Sequence, residues 1–137
     1  MEAPPLSLPD LAGKIFEIKK IQKPVILFFF ASWSKSCQSE LQDLQELFRD
    51  HQKIEIIGVA LDRKIKPLKE FLNENHISFT ILHDKKLLTL DRYQVVIIPT
   101  TFCLDQNGYL EKIFVDYDQN VKVALKDWAQ KFVKEDE

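Results

Sequence analysis

The residues with the clearest chemical potential are a serine and a cysteine at the start of a predicted helix. Ser34 and Cys37 stand three residues apart, just after the apolar run 25–31 and Trp33. Unpaired backbone N–H groups and the positive end of the helix dipole stabilise a thiolate at such a position. In a dithiol site with this spacing, the first thiol attacks a disulfide and the second resolves the mixed disulfide. Cys37 therefore has the resolving position. Ser34 has the attacking position but cannot attack, because a hydroxyl with no strong base beside it stays un-ionised at neutral pH.

The elements that must position this pair alternate between strand and helix. The run Val25–Phe30 is apolar throughout, which is typical of a strand covered on both faces. The next segment has apolar residues every three or four positions, which predicts an amphipathic helix over about 35–50. The remaining predicted elements are a hairpin around 6–18, strands at 54–61, 79–82, 100–104 and 110–115, a hairpin turn at 105–108, and helices around 68–72, about 84–93 and 121–132. Asp62 is a candidate cap for the helix around 68–72.

This order predicts one α/β domain over residues 1–137. Strand–helix alternation implies parallel pairing with right-handed crossovers, and the last hairpin adds antiparallel strands. We therefore expect a central mixed β-sheet flanked by helices on both faces, with an N-terminal β-hairpin.

Four motifs together resemble one family. They are Leu8-Pro9-Asp10-Leu11-Ala12-Gly13-Lys14, Phe30-Ala31-Ser32-Trp33, Glu40 three residues after Cys37, and Pro99-Thr100-Thr101-Phe102 followed by Asp105-Gln106-Asn107-Gly108. They resemble the TlpA/ResA branch of the thioredoxin-fold thiol–disulfide oxidoreductases, which is grouped with redoxin and AhpC/TSA-like domains. The resemblance covers nearly the whole chain and departs from the family at Ser34, where the family carries its nucleophilic cysteine.

The resemblance implies a thioredoxin-like fold and thiol–disulfide exchange on protein thiols and disulfides, with no cofactor or metal. It also implies a cis Ile98–Pro99 bond that faces the site helix and exposes the backbone of residue 98 to an extended substrate segment. The candidate catalytic residues are Cys37, Ser34 and Glu40, and the candidate substrate-binding residues are Trp33, Lys35, Ser36, Ile98, Pro99 and Thr100. The expected partners are protein substrates or redox partner proteins. We expect the chain to be a monomer. The resemblance implies an extracytoplasmic location, and the alternative is the cytoplasm.

Several alternatives stay open. Serine is a favoured helix N-cap, so Ser34 fits either natural loss of the site thiol or an engineered replacement of cysteine. A natural serine favours a monothiol or a redox-inactive module that binds partner proteins. The Ser34-x-x-Cys37 spacing also resembles a one-cysteine peroxidase, in which the thiolate reacts with peroxide. Glu40 shares the helix face of Cys37 or is a solvated residue of the first turns.

Composition narrows the remaining function classes. The 137 residues are 45% hydrophobic and 29% charged, which is typical of a globular domain. A net charge of −2 without a basic block gives little support to nucleic-acid binding. The longest apolar run is too short to span a bilayer, and no signal-peptide pattern precedes it.

Cys103 is expected in the core, and His51, His76 and His83 are scattered surface residues without metal-ligand spacing.

Overall fold

The computed structural model describes residues 1–48 and 52–133. The strands are β1 Ser7–Pro9, β2 Ile15–Glu17, β3 Val25–Phe30, β4 Glu55–Ala60, β5 Thr80–His83, β6 Thr100–Leu104 and β7 Leu110–Val115. The α-helices are α1 Lys35–Phe48, α2 Ile65–Glu74, α3 Leu90–Tyr93 and α4 Gln119–Val133, and a 3-10 turn covers Ile18–Lys20. The predicted end of the first helix, at residues 49–50, lies outside the described residues, as does His51.

The central sheet has five strands in the order β5-β4-β3-β6-β7. Strands β3, β4 and β5 are parallel, whereas β6 runs antiparallel to β3 and β7 antiparallel to β6. Strands β1 and β2 form a separate antiparallel hairpin. The carboxyl ends of β3, β4 and β5 and the amino end of β6 therefore meet at one edge of the sheet, which we call the site edge.

Apolar side chains cover both faces of this sheet. On one face, α1, α2 and α4 pack against alternate residues of β3, including Phe28 and Phe30. On the other face, Leu27 and Phe29 pack with the N-terminal hairpin segment and with Tyr93 of α3. All six residues of β3 are buried, so the strand is a rigid base for the loop that follows it. This architecture is the mixed sheet with helices on both faces and an N-terminal hairpin that the sequence predicts.

Two local predictions are wrong, both at aspartates that follow parallel strands. Asp62 does not cap α2, whose N-cap is Lys64 without a side-chain hydrogen bond. The helix predicted over about 84–93 is limited to Leu90–Tyr93. The carboxylate of Asp84 accepts hydrogen bonds from the backbone N–H groups of Leu88 and Thr89, which makes a turn in place of the first helical turns. Aspartate side chains compete with helix formation in this way.

Candidate functional site

The loop between β3 and α1 places Ser34 at the N-cap of α1. The backbone N–H of Cys37 donates to the Ser34 Oγ at 3.4 Å, and the N–H of Gln38 donates to the Ser34 carbonyl at 2.9 Å. The serine hydroxyl therefore satisfies one of the backbone donors that a helix leaves unpaired at its start. This hydrogen bond puts positions 34 and 37 in direct contact.

Cys37 is buried, with none of its surface exposed. Burial raises the pKa of its thiol, while hydrogen bonds from Ser34 and from the backbone at Ala31 lower it. The two charges that act on it, Glu40 and Asp62, are both acidic and raise the pKa further. Cys37 is therefore held as a shielded thiol, and the stabilisation offered by the helix start is outweighed.

Glu40 is fully buried one turn farther along α1. Its Oε2 accepts a hydrogen bond from the Thr101 Oγ at 2.6 Å, and its Oε1 has no partner among the described residues. Burial raises the pKa of Glu40 to about 8, against the lowering effect of the Thr101 hydrogen bond, and the charges of Asp43 and Asp116 add to the rise. The interpretation of Glu40 as a solvated residue is therefore wrong. At neutral pH its carboxyl group is held largely protonated.

The Glu40–Thr101 hydrogen bond joins the site helix to the beginning of β6, just after the Ile98–Pro99 bond. That bond is cis, as the resemblance implies. Pro99 is buried, and its carbonyl accepts a hydrogen bond from the Asp116 N–H at 2.8 Å. Within residues 1–48 and 52–133, the N–H and carbonyl of Ile98 have no hydrogen-bond partner. The backbone of residue 98 is thus unpaired within the described part of the chain.

The remaining candidate residues divide between surface and interior. Trp33 is 74% exposed, Lys35 is exposed and Ser36 and Ile98 are half-buried. Thr100 is buried, and its hydroxyl donates to the carbonyl of Ile97. Of the six predicted substrate-binding residues, Trp33 and Lys35 are therefore the most accessible to solvent. Pro99 and Thr100 are buried, so they could affect a substrate only by shaping the backbone of residues 97–100. Their roles stay predictions.

A buried pair that the sequence analysis missed, Asp62 and Ser32, holds the loop 31–34 between β3 and α1, which we call the site loop. The carboxylate of Asp62 accepts hydrogen bonds from the Ser32 N–H at 3.0 Å and from the Ser32 Oγ at 2.6 Å. The Ser32 carbonyl in turn accepts from the Gln38 Nε2 at 2.7 Å. Asp62 and Ser32 each follow a buried parallel strand, and β3 and β4 are neighbours. That juxtaposition is the signal by which the pair could have been found.

Among the described residues, Cys103, His76 and His83 belong to no group that could hold a metal ion. Cys103 is free and buried in β6, which confirms its predicted place in the core. His76 is exposed, but His83 is half-buried with its Nε2 2.7 Å from the Asp62 carbonyl oxygen, so its assignment to the surface is wrong. Across the described ranges no three His, Cys, Asp or Glu side chains form a group that could hold a metal ion. No helix in those ranges is long and apolar enough to cross a membrane.

Comparison with known sequences agrees with this geometry. The AhpC/TSA family matches residues 1–113. The thiol-disulfide oxidoreductase ResA of Bacillus cereus is 31% identical over 134 residues, which cover 95% of this chain and 76% of that protein. ResA of Bacillus anthracis is 33% identical over 110 residues, covering 78% of this chain and 64% of that protein. The thioredoxin-like protein YneN of Bacillus subtilis is 31% identical over 119 residues, covering 83% and 69%.

Solved structures give the same fold. A thiol:disulfide interchange protein DsbE of Chlorobium tepidum superimposes with a TM-score of 0.85 at 28% identity, over 92% of this chain and 91% of that one. StoA of Bacillus subtilis superimposes with a TM-score of 0.78 over 94% of this chain and 99% of that one, and at 24% identity it supports the fold alone. These proteins confirm the thioredoxin-like architecture predicted from the sequence, and the names of the sequence relatives support the predicted class of thiol–disulfide oxidoreductases.

Proposed function

The chain belongs to the AhpC/TSA family, and on that premise we propose that it is a thiol–disulfide oxidoreductase scaffold that acts on protein thiols and disulfides. The observation that carries the proposal is the contact between positions 34 and 37 at the start of α1. The Glu40–Thr101 hydrogen bond holds this helix against β6, close to the unpaired backbone of residue 98. One side of this arrangement pairs with a peptide, and the other carries position 34, where a thiol would face that peptide, with the shielded Cys37 behind it.

Recognition uses main-chain pairing and an apolar surface. An extended substrate segment pairs with the free N–H and carbonyl of Ile98, as an added strand pairs with a sheet edge. Trp33, with three quarters of its surface exposed, covers the adjacent residues of the substrate. Such contacts are independent of most side chains, so the site accepts a protein cysteine in an extended segment rather than one small molecule.

With a thiol at position 34, the chemistry proceeds in two steps. The thiolate attacks a substrate disulfide R–S–S–R′, forms a mixed disulfide with R and releases R′ as a thiolate. The Cys37 thiolate then attacks the sulfur at position 34, closes the intramolecular disulfide and releases R as the second thiolate. The site is oxidised by two electrons and the substrate is reduced by two. With Ser34, the site retains only the resolving sulfur and this cycle has no first step.

An insulin-reduction assay tests the proposal. We expect the parent chain to be inactive or nearly so, and Ser34→Cys to reduce insulin with dithiothreitol as electron donor. Ser36→Cys is the matched control, because it adds a thiol to the same helical turn at a position adjacent to Cys37. Equal activity of the two variants, or inactivity of Ser34→Cys in a folded protein, overturns the proposal.

The burial of Cys37 favours a second candidate, a module that binds redox partner proteins without exchanging electrons. A shielded thiol with a raised pKa is a poor nucleophile at neutral pH, whereas the backbone of residue 98 is intact for binding. Ser34→Cys again separates the two functions, since a pure binding module gains no turnover from the added thiol.

The same geometry disfavours a one-cysteine peroxidase. A peroxidatic thiolate needs positive charge nearby, but the two ionisable groups that act on Cys37, Glu40 and Asp62, are both acidic and neither supplies it. We therefore expect no sulfenic acid at Cys37 after treatment with stoichiometric peroxide, as detected by dimedone labelling and mass spectrometry.

We further propose that residues 1–137 form one domain, that it is a monomer and that it works outside the cytoplasm. The single five-stranded sheet and its two packed faces support the first point, and the resemblance to the TlpA/ResA branch supports the last. Limited proteolysis, analytical ultracentrifugation and cell fractionation test the three statements in turn.

A further inference from the structure

The site edge of the sheet carries a concentration of positive charge. Segments 31–36, 61–66 and 83–88 follow the parallel strands β3, β4 and β5, and together they contain six Lys or Arg residues and two Asp. All six cations are exposed. We call them the basic rim, and they are Lys35, Arg63, Lys64, Lys66, Lys85 and Lys86. The chain as a whole has a net charge of −2, so the rim does not reflect a basic protein.

The two aspartates of these segments do not offset the rim at the surface. Asp62 is buried with its carboxylate on Ser32, and Asp84 is buried with its carboxylate on the backbone of Leu88 and Thr89. None of the six cations forms an ion pair with a described residue. Within the described part of the chain the six basic side chains are therefore exposed and outside any ion pair.

The rim comprises Lys35, beside Ser34, and the five cations that follow β4 and β5, so it extends from the site toward one end of the edge only. Neighbouring strands are about 4.8 Å apart, so the three loops of the rim span roughly 10 Å, which is about the Debye length at 0.1 M salt. Their charges therefore act together on an approaching molecule. Beyond β6, the end of β7 is followed by the exposed Asp116 and Asp118. The exposed charges that follow the strands along the site edge therefore change sign from β5 to β7, with Ser34 and Trp33 between the two groups.

We propose that the basic rim docks an acidic segment of a protein partner, next to the cysteine or disulfide of that partner which enters the site. The inference rests on the proposed function and names its substrate class. An acidic segment is attracted by the rim over β4 and β5 and repelled by Asp116 and Asp118, so the change of sign orients the partner along the edge. Attraction of this kind raises association rates by tenfold or more at low ionic strength and is lost as salt is added.

The proposal is tested with three disulfide-linked peptides as substrates of Ser34→Cys. The peptides share one sequence around the cysteine and differ only in their flanks, which are four Glu, four Gln or four Lys residues. At about 20 mM salt we expect reduction of the Glu peptide to be at least tenfold faster than reduction of the Lys peptide, with the Gln peptide between them. At 0.5 M salt the three rates converge, because the Debye length falls to a few ångströms.

Paired charge variants locate the effect. Arg63→Gln with Lys64→Gln removes two charges from the rim, and we expect it to lower the Glu-to-Lys rate ratio at least twofold. Lys19→Gln with Lys23→Gln removes two exposed charges from the segment before the amino end of β3, at the opposite edge of the sheet, and leaves the ratio unchanged. An equal fall in both double variants assigns the preference to net charge and overturns the proposal.

Other outcomes separate this inference from the function on which it rests. Equal rates for the three peptides at low salt overturn the acidic partner and leave the exchange function standing. If no peptide is reduced, the exchange function fails, and fluorescence anisotropy of the labelled Glu peptide with the parent chain tests the rim alone. Rim-dependent binding to phosphatidylserine vesicles, without preference among the peptides, assigns the rim to a lipid surface and overturns the proposal.

Discussion

The buried carboxyl group of Glu40 makes the stability of this protein depend on pH in a direction opposite to that of most acidic residues. Its pKa is about 8 in the folded chain, against 4.5 for an exposed glutamate. Between these two values the folded state holds a proton that the unfolded state has released. The contribution of the protonated Glu40 to the free energy of unfolding is therefore fully present below pH 4.5, and it is lost as the pH rises through about 8.

The difference between the two pKa values corresponds to roughly 5 kcal/mol, at about 1.4 kcal/mol per pH unit. That is a large part of the 5–15 kcal/mol by which domains of this size are stable. Glu40→Gln keeps the shape of the side chain and its hydrogen bond from Thr101 but removes the titration. We expect its free energy of unfolding to be within about 1 kcal/mol of the parent at pH 5 and several kcal/mol above the parent at pH 9.

Urea unfolding followed by circular dichroism at pH 5, 7 and 9 measures this difference. Glu46→Gln, at an exposed position on the same helix, is the matched control and should follow the parent at every pH. The reasoning is refuted if the difference between Glu40→Gln and the parent is the same at pH 5 and pH 9.

Three further predictions concern the thiols, the helix start and the loop support. In the native protein neither Cys37 nor Cys103 should react with a thiol reagent such as DTNB within minutes, because both are buried. In guanidinium, two thiols per chain should react. A thiol that reacts in the native protein contradicts this burial. Ser34→Ala should lower the free energy of unfolding by about 1 kcal/mol through loss of the N-cap, and Ser34→Gly by only a few tenths; equal losses would remove the capping role. Ser32→Ala should cost about 1–3 kcal/mol in urea unfolding, since it leaves the buried Asp62 carboxylate short of a hydrogen bond, and an effect as small as that of Ser36→Ala would show that the pair is not needed.

The strands of this protein were predictable because their signals are local. Val25–Phe30 is a continuous apolar run, and Thr100–Leu104 and Leu110–Val115 flank a turn whose Asp105 side chain accepts from the backbone of Asn107 and Tyr109. The N-cap position of Ser34 follows in the same way from a change of period between strand and helix. Such features depend on residues a few positions apart, so a single sequence contains them.

Two of the features that sequence reasoning missed or left open depend on contacts between distant residues. Glu40 stands on the polar margin of a helical stripe, and its burial is decided by Thr101, 61 residues later. Asp62 was assigned to the nearest helix, but its partner Ser32 lies 30 residues earlier on a neighbouring strand end. The helix predicted from residue 84 failed for a local reason, since the Asp84 carboxylate competes for the backbone N–H groups that a helix would use.

The most direct test of the central claim, that a thiol at position 34 is the one missing part of an exchange site, is to identify the bonds formed with a disulfide-linked peptide. Mass spectrometry after reaction with Ser34→Cys should show a disulfide between positions 34 and 37 and two released peptide thiols. Ser34→Cys combined with Cys37→Ser should stop at a mixed disulfide between position 34 and one peptide. A mixed disulfide at Cys103, or no bond to position 34 in either folded variant, would contradict the account.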